Sequence, residues 1–200
     1  MYLKSLSGKI LYEGRFANIK SGVEMAVEDS VNLDSINLRH ANLSGAQLDN
    51  AQMPNACFWG ANLHNVNLSG ANLNNSDFRT ANLLNTCLAE ANCMGADFSG
   101  TYFARTILRQ TNLENAKFSC PSVFSIELIE AKSLKGAVYS HLGEIDCDLS
   151  HAPLIIRGLH KPLIFMDDCV LVGTDIQKIA MRQKAIQAIL AQANLHKLSA

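Results

Sequence analysis

Two hundred residues, 48% of them apolar, are enough for one compact domain with its own core, and the apolar residues are spread too evenly for a disordered chain. A net charge of −1, with only 18% charged residues, gives no field that would gather nucleic acid or an anionic membrane. No stretch approaches the roughly 18 consecutive apolar residues that span a bilayer, and the opening MYLKSLSGKILYEGRF lacks the apolar core of a signal peptide, so a cytoplasmic address is expected.

Residues 1–30 read as an N-terminal cap. A short strand is predicted over Lys9–Phe16, then a helix from near Ser21, where SGVE has the form of a capping box with Ser21 and Glu24 satisfying free amides. From Val31 the chain repeats every five residues: VNLDS, INLRH, ANLSG, AQLDN, AQMPN, ACFWG, ANLHN and onward. The large apolar residue at the centre of each unit runs from Leu33 to Phe118 in eighteen units without a break in phase, and Val123 and Leu128 still fit as the pattern fades. Two residues before each centre stands Ala or another small or β-branched residue, with Val31, Ile36, Val66, Ser76, Thr86, Thr101, Thr106 and Thr111 as the variants.

A period of five fits neither a helix nor a flat strand, so the chain must turn at a fixed interval with two residues of each five inside. The motif resembles the A(N/D)LXX signature of the pentapeptide-repeat family over about half of the chain. The resemblance implies an all-β solenoid, a right-handed quadrilateral β-helix with four units per coil, here assigned to residues 31–133. Four faces can be tested at a spacing of twenty. Leu38, Phe58, Phe78, Phe98 and Phe118 fall in one column and Leu48, Leu68, Leu88, Leu108 and Leu128 in another, as stacked ladders would. Coils would lie roughly 4.8 Å apart, with Leu or Phe filling the interior, Ala fitting beside it, and Asn tying the corners.

A solenoid exposes strand edges at its ends, and the flanking segments are the expected caps. Residues 134–173 read as a C-terminal β cap with strands at Leu154–Arg157, Leu163–Met166 and Val170–Val172, turning at Asp167 and Asp168. Residues 174–200 read as a helix from about Ile176 to Leu195, N-capped by Thr174 or Asp175, which either packs on the solenoid or pairs with its copy in a homodimer. The six cysteines (Cys57, Cys87, Cys93, Cys120, Cys147, Cys169) lack zinc-type spacing and read as reduced, mostly buried thiols.

A filled β-helix interior offers no concavity for catalysis, and no nucleophile motif, phosphate loop or HExxH is present, so no catalytic, cofactor or metal residue is assigned. His141, Cys147 and His151 are close in sequence but irregularly spaced and read as surface and turn residues. An enzymatic site around Asp167, Asp168 and His160 ranks last, because adjacent Asp residues are turn formers.

The outward column after the Phe ladder is more suggestive. It places Trp59, the only Trp, between Arg39 and Arg79, in position for cation–π stacking, and this trio is the candidate partner-binding surface. A second column, His64, Leu84, Ala104 and Phe124, needs a cover, expected from the C-terminal segment. Asp77, Asp97 and Lys117 read as local electrostatics. The leading function is a non-catalytic scaffold binding a protein partner. The resemblance also implies an alternative, inhibition or protection of DNA gyrase by imitating an acidic DNA rod. Between Val31 and Glu130, eight acidic residues stand against five basic ones, and a net of −3 is weak for that role.

Overall fold

Every fifth residue from Ser30 to Asn115 has a backbone φ between 54° and 70°, so eighteen corners in succession adopt the left-handed conformation. Asn or Gly holds eleven of them, the residues that take this conformation at least cost. At corners along the coils the carbonyl of the centre accepts the N–H three residues on, as from Val66 N to Leu63 O at 3.1 Å. The chain thus makes a quarter-turn every five residues and returns above itself after twenty, with parallel bridges such as Asn42 to Asn62 and Asn62 to Asn82. The result is a right-handed quadrilateral β-helix. In a computed structural model, the structure describes residues 1–119, 128–141, 143, 145–156, 163–172 and 175–187.

The backbone N–H groups of a unit can be accounted for one by one. In the unit around Leu38, Asn37 N bonds to Lys4 O of the N-terminal segment, Leu38 N to Cys57 O and His40 N to Trp59 O on the next coil, and Ala41 N closes the corner on Leu38 O. The fifth, Arg39 N, is received by the side-chain oxygen of Asn37. The same bond recurs from Ser44 to Asn42, His64 to Asn62, Arg79 to Asp77 and Ser99 to Asp97. This is why the repeat calls for Asn or Asp there: the side chain takes the one amide that neither corner nor ladder uses. The unit with Gln52 needs no such acceptor, since Pro54 has no N–H.

The centres of all four faces are buried in one interior. Phe58, Phe78 and Phe98 stack with centroids 4.8 and 4.9 Å apart, and Phe118 follows at 5.5 Å. Cys93 fills a centre position, and full burial pushes its thiol up to about 12, as expected of apolar filler. The Ser and Thr variants among the Ala positions are also buried. Their hydroxyls donate to centre carbonyls 23 residues earlier, from Ser76 to Met53, Thr86 to Leu63, Thr106 to Leu83 and Thr111 to Leu88.

At the N-terminal end, β1 (Tyr2–Lys4) and β2 (Ile10–Glu13) form an antiparallel hairpin that bridges to Ile36 through Ser5. Helix α1 (Ile19–Glu28) follows, burying Val23 and Ala26. Its N-cap is Asn18, not Ser21. Ser21 lies in the first turn and completes the capping box from the third helical position, bonding to Asn18. Glu24 is thereby free to reach the first coil, where its carboxylate accepts Gln47 N at 3.0 Å and covers an amide at the solenoid edge.

The repeat does not end where its phase fades. Leu128 is a buried centre within a short helical turn (Leu128–Glu130). Lys132 N bonds to Thr111 O, and Leu113 N bonds to Ser133 O, so two residues stand opposite Asn112. This one-residue bulge shifts the phase, after which Leu134 and Tyr139 resume as buried centres. Accordingly β3 (Asp97–Phe98), β4 (Lys117–Ser119) and β5 (Val138–His141) are parallel neighbours, and β6 (Ile145–Asp148) turns back antiparallel to β5 over the exposed edge.

A separate antiparallel sheet follows, in the order β10-β9-β8-β7, from β7 (Leu154–Ile156), β8 (Leu163–Phe165), β9 (Cys169–Val172) and β10 (Asp175–Lys178). Two expectations are corrected here. Residues 175–178 form a strand and not the start of a helix, because Asp175 to Lys178 pair along β9; helix begins only at residue 182, and Thr174 and residues 188–195 lie outside the described residues. Cys147 and Cys169 are not reduced thiols but a disulfide joining β6 to β9, since this sheet brings their Cα atoms within 5.9 Å. Cys57, Cys87 and Cys93 are free, and Cys120 lies outside the described residues.

Candidate binding surface

The outward side of the Phe ladder is shaped by which residues follow and precede each centre. The Arg39 guanidinium lies 5.7 Å from the centroid of the Trp59 ring, and the His40 imidazole is tilted against the same ring at 5.1 Å. The next corner on that column is Gly60. A Cβ there would lie 2.5 Å from His40 Nδ1, so the missing side chain leaves room for the imidazole. Trp59 nevertheless keeps 40% of its surface exposed. Arg39 Nε also contacts Cys57 Sγ at 3.2 Å, which fixes the guanidinium from below.

Arg79 does not join the ring stack. Asp77, two residues before it, holds the guanidinium with a fork of two bonds, Nε to Oδ1 at 2.9 Å and Nη2 to Oδ2 at 2.8 Å. That bond keeps the Asp77 carboxyl below its ordinary value despite partial burial, and raises Arg79 in turn. The structure therefore puts Arg39, Trp59 and Arg79 on one face but divides them into an aromatic cluster and an ion pair. Sequence reading missed His40 as the second partner of Trp59, although its place twenty residues before a corner glycine was a usable signal.

On the next face, His64, Leu84 and Ala104 are half-buried; Phe124, the fourth member of their column, lies outside the described residues, as do residues 188–200 of the C-terminal segment expected to cover it. More exposed are Tyr102 and Ile107, which occupy positions where other units carry Asn.

At the C-terminal sheet, the proposed gathering of Asp167, Asp168 and His160 is absent for the two described members. Asp167 accepts from His151 and lies 3.6 Å from Arg182 Nη1, whereas Asp168 accepts Asp148 N at 2.7 Å and contacts Lys178. His160 lies outside the described residues. His151, Asp167 and Arg182 border an open cleft of about 520 Å³ whose described lining, completed by Ala180, Met181, Gln183 and Ile186, carries no hydroxyl, thiol or amine nucleophile. Cys147, Cys169 and Asp168 converge within 4.8 Å, without His141 or His151, but both sulfurs are used by the disulfide and offer no thiolate to a metal. Among the described residues, no helix is long and apolar enough to cross a membrane.

The pentapeptide-repeat family model matches in overlapping blocks over residues 32–70, 60–92 and 91–120, with eight copies. No curated protein matches. Among solved structures, the chain is similar to HetL of the cyanobacterium Nostoc sp. PCC 7120, a pentapeptide-repeat protein involved in regulation of heterocyst differentiation, at 24% identity and a TM-score of 0.35. That match covers 50% of this chain and 48% of HetL. It is also similar to the pentapeptide-repeat protein Rfr23 of Cyanothece 51142, at 28% identity and a TM-score of 0.32, over 42% of this chain and 54% of that one. The pentapeptide-repeat protein alr5209 of Nostoc matches at 21% identity and a TM-score of 0.35, over 64% of this chain and 99% of its own. The chain thus spans about half the length of the first two relatives. Corners and centres keep the five-residue register throughout residues 32–119, and the stretch that the family model matches, residues 32–120, consists of pentapeptide repeats.

Proposed function

We propose that the solenoid is a rigid, non-catalytic surface for a protein partner in the cytoplasm, centred on Trp59 with Arg39 and His40 beside it and Arg79 at its margin. One observation carries this reading: a half-exposed Trp, the only one in the chain, is braced by a cation and an imidazole on the outward side of the Phe ladder. A pre-ordered aromatic loses little entropy on binding and offers a large apolar area, the properties of a binding hot spot. Coils beneath it are stiff, so outward residues can vary without disturbing the core. Pentapeptide-repeat proteins are generally non-catalytic, which agrees with an interior filled by Leu, Phe and Ala.

Because Trp59 is the only Trp, its fluorescence reports on this spot alone. Proteins co-purified by cross-linking in cell extract are to be titrated singly against the pure chain. A genuine partner shifts the Trp59 emission, and Trp59→Ala weakens its binding at least tenfold. Partners that bind Trp59→Ala as well as the wild type would place the surface elsewhere. A parallel gyrase supercoiling assay is expected to show no inhibition, given the net charge of −3 on the repeats; inhibition at low micromolar protein would favour DNA imitation instead.

A further inference from the structure

The strand β6 that closes the solenoid and the sheet β7–β10 meet along a narrow seam. Asp167 N donates to Asp148 O at 3.0 Å, Asp148 N donates to Asp168 Oδ1 at 2.7 Å, and Lys178 bonds to both Asp146 O and Asp168 Oδ2. These are polar bonds at exposed or partly exposed groups, each worth little against water. At the centre of the seam lies the covalent link between Cys147 and Cys169, both fully buried. Beneath it, Leu149, Ile164, Met166 and Leu171 belong to one apolar cluster with the coils.

We propose that the Cys147–Cys169 disulfide is a redox-operated clasp: closed, it holds the C-terminal sheet on the end of the solenoid, and a dithiol reductant releases the sheet while the coils stay folded. The coils do not depend on it, because each is held by the ladder to its neighbours and by the filled interior. The sheet does, since the link closes a loop with a sequence separation of 22 and so limits how far the sheet can stray once its polar bonds and its apolar contacts with the coils open. Both sulfurs are buried, so reduction follows a local opening of the seam. A thiolate of the dithiol bonds to one cysteine sulfur as the other leaves. The second thiol of the reductant then attacks the reductant's own first sulfur and expels the bound cysteine as its thiolate, so the reductant departs as a cyclic disulfide and two protein thiols remain, a transfer of two electrons and two protons. In a reducing compartment, disulfides that persist are mostly of this switching kind.

Hydrogen exchange by mass spectrometry on the full chain tests this without a mutation. The protein is first equilibrated with oxidised glutathione, and peptide mapping under non-reducing conditions is expected to recover the Cys147–Cys169 linked peptide. Exchange is then compared with and without dithiothreitol. Amides of β8 and β9 are expected to exchange about a hundredfold faster on reduction, with residues 41–119 unchanged. The double variant Cys147→Ser, Cys169→Ser is expected to show the fast rates in both conditions. No linked peptide after oxidation, or equal exchange of β8 and β9 in the verified oxidised and reduced proteins, overturns the clasp; acceleration throughout the coils on reduction overturns the independence of the two parts.

Discussion

The hydroxyl of Thr86 donates to the carbonyl oxygen of Leu63 at 2.7 Å, from 23 residues further along the chain, and the same carbonyl closes a corner by accepting Val66 N. A buried carbonyl thus uses both lone pairs, and Thr serves at an inward position where Ala is the rule. Replacing Thr86 by Val keeps the shape and removes the donor. Leu63 O retains Val66 N, so the expected loss is about 1 kcal/mol in urea unfolding, and an unchanged midpoint would show that the second bond adds nothing.

Ala81 is fully buried beside the centres of its coil, in space already filled by Leu83 and Phe78. Ala81→Leu adds three carbons to that cross-section and is expected to destabilise by about 1 to 3 kcal/mol, and Ala71→Leu likewise. Thermal unfolding measures both. Variants as stable as the wild type would contradict the inward placement of the Ala positions.

Thr80 is a β-branched residue at a corner with φ 56°, while the same corner one coil below and one above is Gly60 and Gly100. Branching at Cβ makes this conformation costly, by about 1 to 2 kcal/mol. Thr80→Asn is therefore expected to raise stability by about 1 kcal/mol, read as a higher denaturant midpoint with an unchanged slope.

Ile107 stands where most units place the Asn or Asp that receives the amide two residues on. Ile107→Asn gives Arg109 N an intramolecular acceptor and removes an apolar side chain from the surface, where Ile107 is 48% exposed. Hydrogen exchange at Arg109 is expected to slow severalfold, together with a gain of about 0.5 kcal/mol.

The ion pair of Asp77 gives a pH dependence of known sign. Its carboxyl is depressed first by the hydrogen bond from Arg79, so its contribution to stability is fully present above the unfolded carboxyl value of about 3.9 and is lost as pH falls through the lower folded value. Carbon-detected NMR titration should find Asp77 below the usual carboxylate range, and Arg79→Ala should return it toward that range. Equal titration in both proteins would mean that the fork between them does not form in solution.

The solenoid was readable because its rules are local and repeated. Leu at a centre, Ala two before it and Asn between them each answer a need met within the same coil or the next, so eighteen copies speak with one voice. The interior columns, including the Phe ladder, followed directly. What escaped depended on single events: one bulge at Lys132 and Ser133 hid the centres Leu134 and Tyr139, and the strand at residues 175–178 is set by its partner β9 more than by its own pattern. The disulfide escaped for the same reason, since only the folded cap brings Cys147 to Cys169. At the proposed binding surface, a spacing of twenty residues located Arg39 and Trp59 but could not foresee that Asp77, two residues from Arg79, would take the guanidinium away.

The return of the chain above itself after twenty residues has a consequence for how such a molecule can change in size. A duplication or loss of twenty residues within 41–119 would keep every corner, ladder and side-chain cap in register and leave both end pieces meeting the same neighbours. The rod would grow or shrink by one rung of about 4.8 Å. Its length is therefore set in discrete steps, like the marks on a ruler, and the distance between its two end pieces can be altered without redesigning either.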